Sequence, residues 1–286
     1  MINSRRPRYA RGDDYEIPPG DDRVRWWNGS VAGGMRGVGV GDRSSMMFFV
    51  GLHHPSSAQH FERACISRNV IQTRKKAIGA GSWIMDSGAF TTIAKYGGYP
   101  HPVGEYAELI RRWAHDDTLL AAVAQDYMCE PHMIERTGLS IAEHQRLTIE
   151  RYDELVAERT GVAIMPVLQG YAPEEYVSHL RQYGSRLTRG AWVGVGSVCK
   201  RNRDPRSIER VLLAIHNERP DLRLHGFGIK LTSLASGLVR SLLYSADSMA
   251  WSFAARKQGR SPHDWREAEK FVRRISSMPH QAQLFV

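Results

Sequence analysis

Six short apolar runs in this chain end in a carboxylate, an amide or a glycine, and helix-length stretches separate most of them. They are Ile84-Met-Asp-Ser-Gly-Ala-Phe90, Val123-Ala-Gln-Asp126, Pro166-Val-Leu-Gln-Gly170, Val193-Gly-Val-Gly196, Leu224-His-Gly-Phe-Gly228 and Ser245-Ala-Asp-Ser248. Such alternation is the pattern of strands feeding crossover helices. In a barrel of alternating strands and helices the reacting groups sit where the strands end. Asp86, Asp126, Gln169, Gly196, Gly228 and Asp247 occupy those ends and suit a purine, so the spacing points to an enzyme that acts on a nucleobase.

The length of 286 residues fits one α/β fold, a (β/α)8 TIM-like barrel, which takes about 250 residues. The expected division is an irregular basic N-terminal arm over 1–45 and a single barrel domain over 46–286. Residues 1–45 mix Arg, Asp, Pro and Gly with little periodicity. The run Val31-Ala-Gly-Gly-Met-Arg-Gly-Val-Gly-Val-Gly41 is not a dinucleotide fingerprint, because no apolar strand precedes it and no helix pattern follows.

Within the barrel, strands are expected at 46–51, 119–124, 162–168, 192–195, 222–227 and 246–251, besides the run ending at Asp86. Helices are expected at 57–67, 103–115, 205–217 and 262–275, with one opening at Pro173 and one at Ser140. Ser140 and Glu143 have the spacing of a capping box. Pro173-Glu-Glu places proline and acids in a first helical turn.

The formal net charge is +9 and the pI near 9.6, with Arg dominating the excess, which points to an anionic partner such as nucleic acid. Basic residues gather after two of the strand ends: Lys200, Arg201 and Arg203 beyond Gly196, then Arg256, Lys257 and Arg260 beyond Asp247. Beside a pocket, such groups neutralise phosphates around an extracted nucleotide. Arg74-Lys-Lys76 is read as a solvated face. Cys65, Cys129 and Cys199 stand far apart with no CxxC pair, which argues against a disulfide framework or a clustered thiolate zinc site and fits a reduced cytoplasmic compartment. No apolar run approaches the roughly 20 residues that span a bilayer, and no signal peptide is expected. His225 reads as a core histidine and stays outside the catalytic set.

Asp86-Ser-Gly-Ala-Phe90, Gln169-Gly-Tyr171, Gly194-Val-Gly-Ser197 and Asp247 followed by Arg256 together resemble the tRNA-guanine transglycosylase superfamily, and most closely the DpdA-type 7-deazaguanine DNA transglycosylases of phages and bacteria. The resemblance runs from about residue 46 to 260. It implies base exchange in DNA: a carboxylate attacks C1′, guanine leaves, and a 7-deazaguanine such as preQ0 takes its place. By that resemblance Asp247 is the nucleophile and Asp86 the general acid/base. The base is bound by Ser87, Gly88, Phe90, Asp126, Gln169, Gly170, Tyr171, Gly196 and Gly228. The chemistry agrees, since two inversions at C1′ call for two carboxylates close together, and an aspartate accepts from guanine N1 and N2 while a glutamine donates to O6. The target guanine must leave the stack, flipped or single-stranded.

The tRNA-directed branch carries a CxCxxC zinc element after its last strands, and here no cysteine follows Cys199. No metal and no redox or nucleotide cofactor is therefore expected. The expected partners are DNA, the 7-deazaguanine co-substrate and further modification proteins. The expected location is the cytoplasm, the bacterial host's if the protein is phage-encoded. Three alternatives stay open: a tRNA-guanine transglycosylase, a glycosidase in which water resolves the intermediate, and a non-catalytic nucleic-acid-binding subunit of a DNA modification complex.

Overall fold

The computed structural model describes residues 46–201 and 204–279; the expected arm over 1–45 and Arg203 lie outside them. Nine parallel strands make one sheet: β1 Met47–Gly51, β2 Arg63–Ser67, β3 Ser82–Asp86, β4 Leu119–Val123, β5 Ile164–Met165, β6 Val167–Leu168, β7 Trp192–Val195, β8 Arg223–Gly226 and β9 Ser245–Ser248. Their order is β5-β4-β3-β2-β1-β9-β8-β7-β6. The two ends of that order, β5 and β6, are consecutive in the chain and flank Pro166, which has no N–H to give to a ladder. Segment 164–168 therefore bonds to both sides. Met165 O accepts from Ala124 N–H at 3.0 Å, and Pro166 O accepts from Gly194 N–H at 2.8 Å. The nearly closed barrel has eight staves, one of them shared by β5 and β6.

Alternation along the strands sorts side chains into two layers. Phe49, Cys65, Ile84, Ala121, Val123, Met165 and Val167 fill the barrel interior, with Trp192 and Phe227 against them. Their neighbours Val50, Ala64, Ile66, Met85, Ala122, Leu168, Leu224 and Ala246 face the outer core under the helices. That ring comprises α1 Ala89–Tyr96, α2 Val103–Trp113, α3 Pro131–Thr137, α4 Ile141–Ala157, α5 Pro173–Tyr183, α6 Pro205–Glu218, α7 Leu231–Leu234, α8 Gly237–Leu242, α9 Ala250–Lys257 and α10 Trp265–Ser276. The capping box of α4 forms as its spacing dictates: Ser140 Oγ accepts from Glu143 N–H at 3.2 Å, and Glu143 Oε2 from Ser140 N–H at 2.8 Å.

Three expectations need correction. The helix expected over 57–67 is a 3₁₀ turn, Pro55–His60, followed by β2. Arg63-Ala-Cys-Ile-Ser67 is a strand because Ala64 and Ile66 pack outward while Cys65 packs inward, a period of two. The strand expected to reach Trp251 ends at Ser248. Trp251 belongs to α9 and donates its indole N–H to Gly51 O at 2.8 Å, tying that helix to the end of β1. The last helix starts at Trp265 rather than 262, capped by Asp264, whose side chain accepts from Arg266 N–H at 3.0 Å.

Candidate active site

Asp86 is the last residue of β3, and its Oδ2 accepts the Gly88 N–H at 3.0 Å. The turn Asp-Ser-Gly leads directly into α1, so the carboxylate is fixed by the chain that leaves its own strand. Burial, reinforced by the negative charge of Asp247, raises the Asp86 pKa; the Gly88 N–H and the Ser67 hydroxyl oppose the rise. Two carboxylates that feel each other inside one barrel mouth favour a proton on one of them. Cys65 lies within the fields of both: burial first, then Asp247 and Asp86, pushes its thiol pKa up. Ser87 is buried and its hydroxyl has no hydrogen-bond partner.

Asp247 stands on β9 beside Phe49 of β1. It alternates with the outward Ala246, so Ser245 and Asp247 both face the barrel interior. Its Oδ1 accepts the Gly228 N–H at 3.1 Å. Gly228 has φ 63°, and a Cβ there would stand 2.7 Å from Cys199 Cβ. Only glycine brings the backbone N–H this close without strain.

A second group forms at the ends of β4, β6 and β7. Gln169, fully buried, donates Nε2–H to Asp126 Oδ2, and its Oε1 accepts from Ser197 Oγ at 2.7 Å. These two bonds fix which end of the amide is nitrogen. The Gln169 N–H donates to His179 Nδ1 at 2.8 Å, and its carbonyl accepts from Gln145 Nε2 at 2.8 Å, so both backbone groups are held as well. At Gly196 a Cβ would fall 2.1 Å from Gln169 Nε2; the glycine leaves room for the Gln169 amide. Gly170 is similarly tight, with Tyr176 at 3.0 Å from a Cβ. Burial raises the Asp126 pKa to about 7, against the Gln169 bond that lowers it and with Asp86 and Glu130 adding to the rise.

Three residues outside the sequence-based set belong to this mouth. Ser197 holds a left-handed φ of 54°, a conformation unfavourable for a side-chain-bearing residue. Its Oγ accepts from Cys129 N–H at 2.8 Å and lies 2.9 Å from Glu130 Oε2. Glu130 is itself buried. His225 on β8 is fully buried, with Nε2 3.4 Å from Asp247 Oδ1. Nothing in Cys129-Glu-Pro131 announces a buried acid, and a histidine in a strand carries no sign of what it faces. Ser197 had one signal, its place directly after Gly194-Val-Gly196.

The rim is aromatic and cationic. Phe90 and Tyr171 are each 45% exposed; Lys200 Nζ lies 4.9 Å from the Phe90 ring and the Arg201 guanidinium 4.3 Å from the Tyr171 ring. Arg201 is also bonded to Tyr171 O and to Ser197 O. On α9, Lys257 lies 4.8 Å from the exposed Phe253 ring, and Arg256 stands near enough to His53 to help lower its pKa, after burial, His263 and His54. Arg260 is engaged with Glu267 at 3.2 Å. Arg74 is tied into its own loop through Lys76 O and Ala77 O, each at 2.8 Å. A separate cleft of about 890 Å³ borders Arg68, Tyr99 and Gln125, and none of the three aspartates lines it.

The structure thus gathers two carboxylates, a buried carboxylate–amide pair and exposed aromatic–cation pairs at the ends of the strands. The family described as "DpdA: DeoxyPurine in DNA protein A" matches residues 45–268. The chain belongs to the DpdA family. No curated protein matches the chain significantly. For a DpdA-family member the arrangement is coherent: DNA carries the substrate base, and the mouth offers carboxylates, a buried amide and cations. Among the described residues no group of three or more His, Cys, Asp or Glu is placed to hold a metal ion, and no helix is long and apolar enough to cross a membrane.

Proposed function

We propose that this DpdA-family chain exchanges guanine in DNA for a 7-deazaguanine through a covalent aspartyl intermediate. The observation that carries the reading is two carboxylates in one barrel mouth: Asp86, fixed by Gly88 N–H and with its pKa raised by burial and by the field of Asp247, and Asp247, whose Oδ1 is oriented by Gly228 N–H. In the first half-reaction an Asp247 oxygen bonds to C1′ as the C1′–N9 bond breaks. The bonding pair leaves with guanine, which takes the Asp86 proton. In the second, the incoming base gives its N9 proton to Asp86 and attacks C1′, and the C1′–O bond to Asp247 breaks. The two inversions retain the configuration.

Asp126 and Gln169 read the base. The carboxylate accepts from N1–H and N2–H, and the second Nε2–H of Gln169 is available to O6. A base lacking that pattern leaves these buried groups unpaired, which is costly. Ser87 and Gly88 border the base through the turn after Asp86, Gly196 admits the Gln169 amide and Gly170 lets the chain after it pass close to Tyr176, and Phe90 and Tyr171 flank the base at the rim, where stacking contributes about 1–3 kcal/mol per base. Lys200, Arg201, Arg203, Arg256, Lys257 and Arg260 meet the backbone phosphates. The test is nucleoside mass spectrometry on duplex DNA and on tRNA after incubation with the protein and preQ0. A deazaguanine deoxynucleoside supports the reading. Product in tRNA alone, abasic sites from hydrolysis, or DNA binding without product overturns it in favour of the corresponding alternative.

A further inference from the structure

We infer that His225 is a positioning residue that holds Asp247 through a fixed imidazole tautomer. The inference rests on the reading of Asp247 as nucleophile. His225 pairs in register with Ser245 on the neighbouring strand, and both are fully buried. The rings of Phe49, Trp192 and Phe227 surround the imidazole with centroids 6.1, 6.0 and 4.7 Å away, so it cannot turn toward solvent.

Ser245 decides the tautomer. Its Oγ accepts the Trp192 indole N–H at 2.8 Å and lies 2.9 Å from His225 Nδ1. An indole nitrogen only donates, so the acceptor that these contacts offer the hydroxyl hydrogen is Nδ1. With Nδ1 accepting, the ring hydrogen sits on Nε2. That atom is buried without a hydrogen bond and stands 3.4 Å from Asp247 Oδ1, a separation that small side-chain adjustments close, as catalytic hydrogen bonds tighten on substrate binding. The order of donation is Trp192 to Ser245 to His225 to Asp247.

The consequence is a division of labour between the two oxygens of one carboxylate. Oδ1 is held from two sides, by Gly228 N–H and by His225 Nε2–H, and Oδ2 is left to attack C1′. A neutral imidazole orients the carboxylate without setting a full positive charge beside the oxocarbenium-like centre that develops at C1′. A histidine serving only as packing could satisfy Nδ1 with the Ser245 hydroxyl but would not need Nε2 directed at the Asp247 carboxylate.

Two measurements test this. Long-range proton–nitrogen NMR on the full chain, with the His225 signals assigned by their loss in His225→Gln, shows which ring nitrogen carries the hydrogen. Hydrogen on Nε2, lost or mixed in Ser245→Ala, is expected; hydrogen on Nδ1 in the wild type overturns the inference. Exchange of radiolabelled guanine into plasmid DNA is then compared across variants. His225→Leu should slow exchange on the order of 10- to 100-fold, the size of a lost charge-assisted hydrogen bond, with the KM for guanine little changed. His225→Gln, which restores an N–H at similar reach, should recover most of the rate. Equal losses in Leu and Gln, or a wild-type rate in Leu, reject positioning while Asp247→Ala still abolishes exchange. Exchange that survives Asp247→Ala rejects the nucleophile itself.

Discussion

Gly228 presents its N–H to Asp247 Oδ1 at 3.1 Å from a backbone with φ 63°, with Cys199 Cβ 2.7 Å from where a side chain would begin. Gly228→Ala therefore forces strain and a clash at the point that orients the carboxylate. The expected outcome is a loss of about 1–3 kcal/mol of stability together with most base exchange. Chemical denaturation and an exchange assay check it. A fully active, equally stable alanine variant would refute the role.

Gly196→Ala tests the carboxylate–amide pair. A Cβ at 2.1 Å from Gln169 Nε2 displaces an amide whose backbone is bonded on both sides, so the amide cannot yield cheaply. Exchange should fall about tenfold or more, the kinetic equivalent of the 1–3 kcal/mol that overpacking costs. The companion readout is base preference, which should broaden.

Asp126 sets a pH dependence. Burial holds its pKa at about 7 rather than 3.8, so the folded state keeps a proton that the unfolded chain has already released. Stability from this group is present below 3.8 and lost as pH rises toward about 7. Guanine recognition as proposed runs the other way, because there the carboxylate is the acceptor, and it forms as pH rises through about 7. In the proposed mechanism Asp86 acts as an acid, and its pKa is raised by burial and by Asp247, so exchange should fall again at higher pH. A bell-shaped kcat/KM profile is expected, with Asp126→Asn removing its acidic limb; an unaltered acidic limb in that variant would assign the titration to another group.

Lys200 touches the Phe90 ring and is the cleaner probe of the rim, since Arg201 also braces Ser197 and Tyr171. Lys200→Ala should weaken DNA binding evenly across sequences and reduce the slope of log affinity against log salt by about 1. Fluorescence anisotropy at several salt concentrations measures both. An unchanged slope would place the phosphates elsewhere.

The barrel was legible because its strands end in polar groups or glycines, helix-length stretches separate most of them, and its helices open with signals such as Ser140 and Pro173. β2 escaped because Arg63-Ala-Cys-Ile-Ser67 has no turn residue directly before it and does not end in a carboxylate, amide or glycine; its pairing between β1 and β3 and its period-two packing reveal the strand. At the mouth, Asp86, Asp126, Gln169 and Asp247 could be picked out because each closes an apolar run. Glu130 and His225 could not, because their significance lies in what faces them across the barrel: Ser197 Oγ for Glu130, and Asp247 for His225; Ser197 was marked only by its place after Gly194-Val-Gly196. Sequence order does not encode cross-barrel distance.

The most direct test of the account is to trap the protein–DNA adduct formed without an incoming base, digest it and locate the added mass by peptide mass spectrometry. A nucleotide adduct on the peptide bearing Asp247, absent in Asp247→Ala, is the expected result. An adduct on any other residue, or base exchange without a covalent adduct, would contradict it.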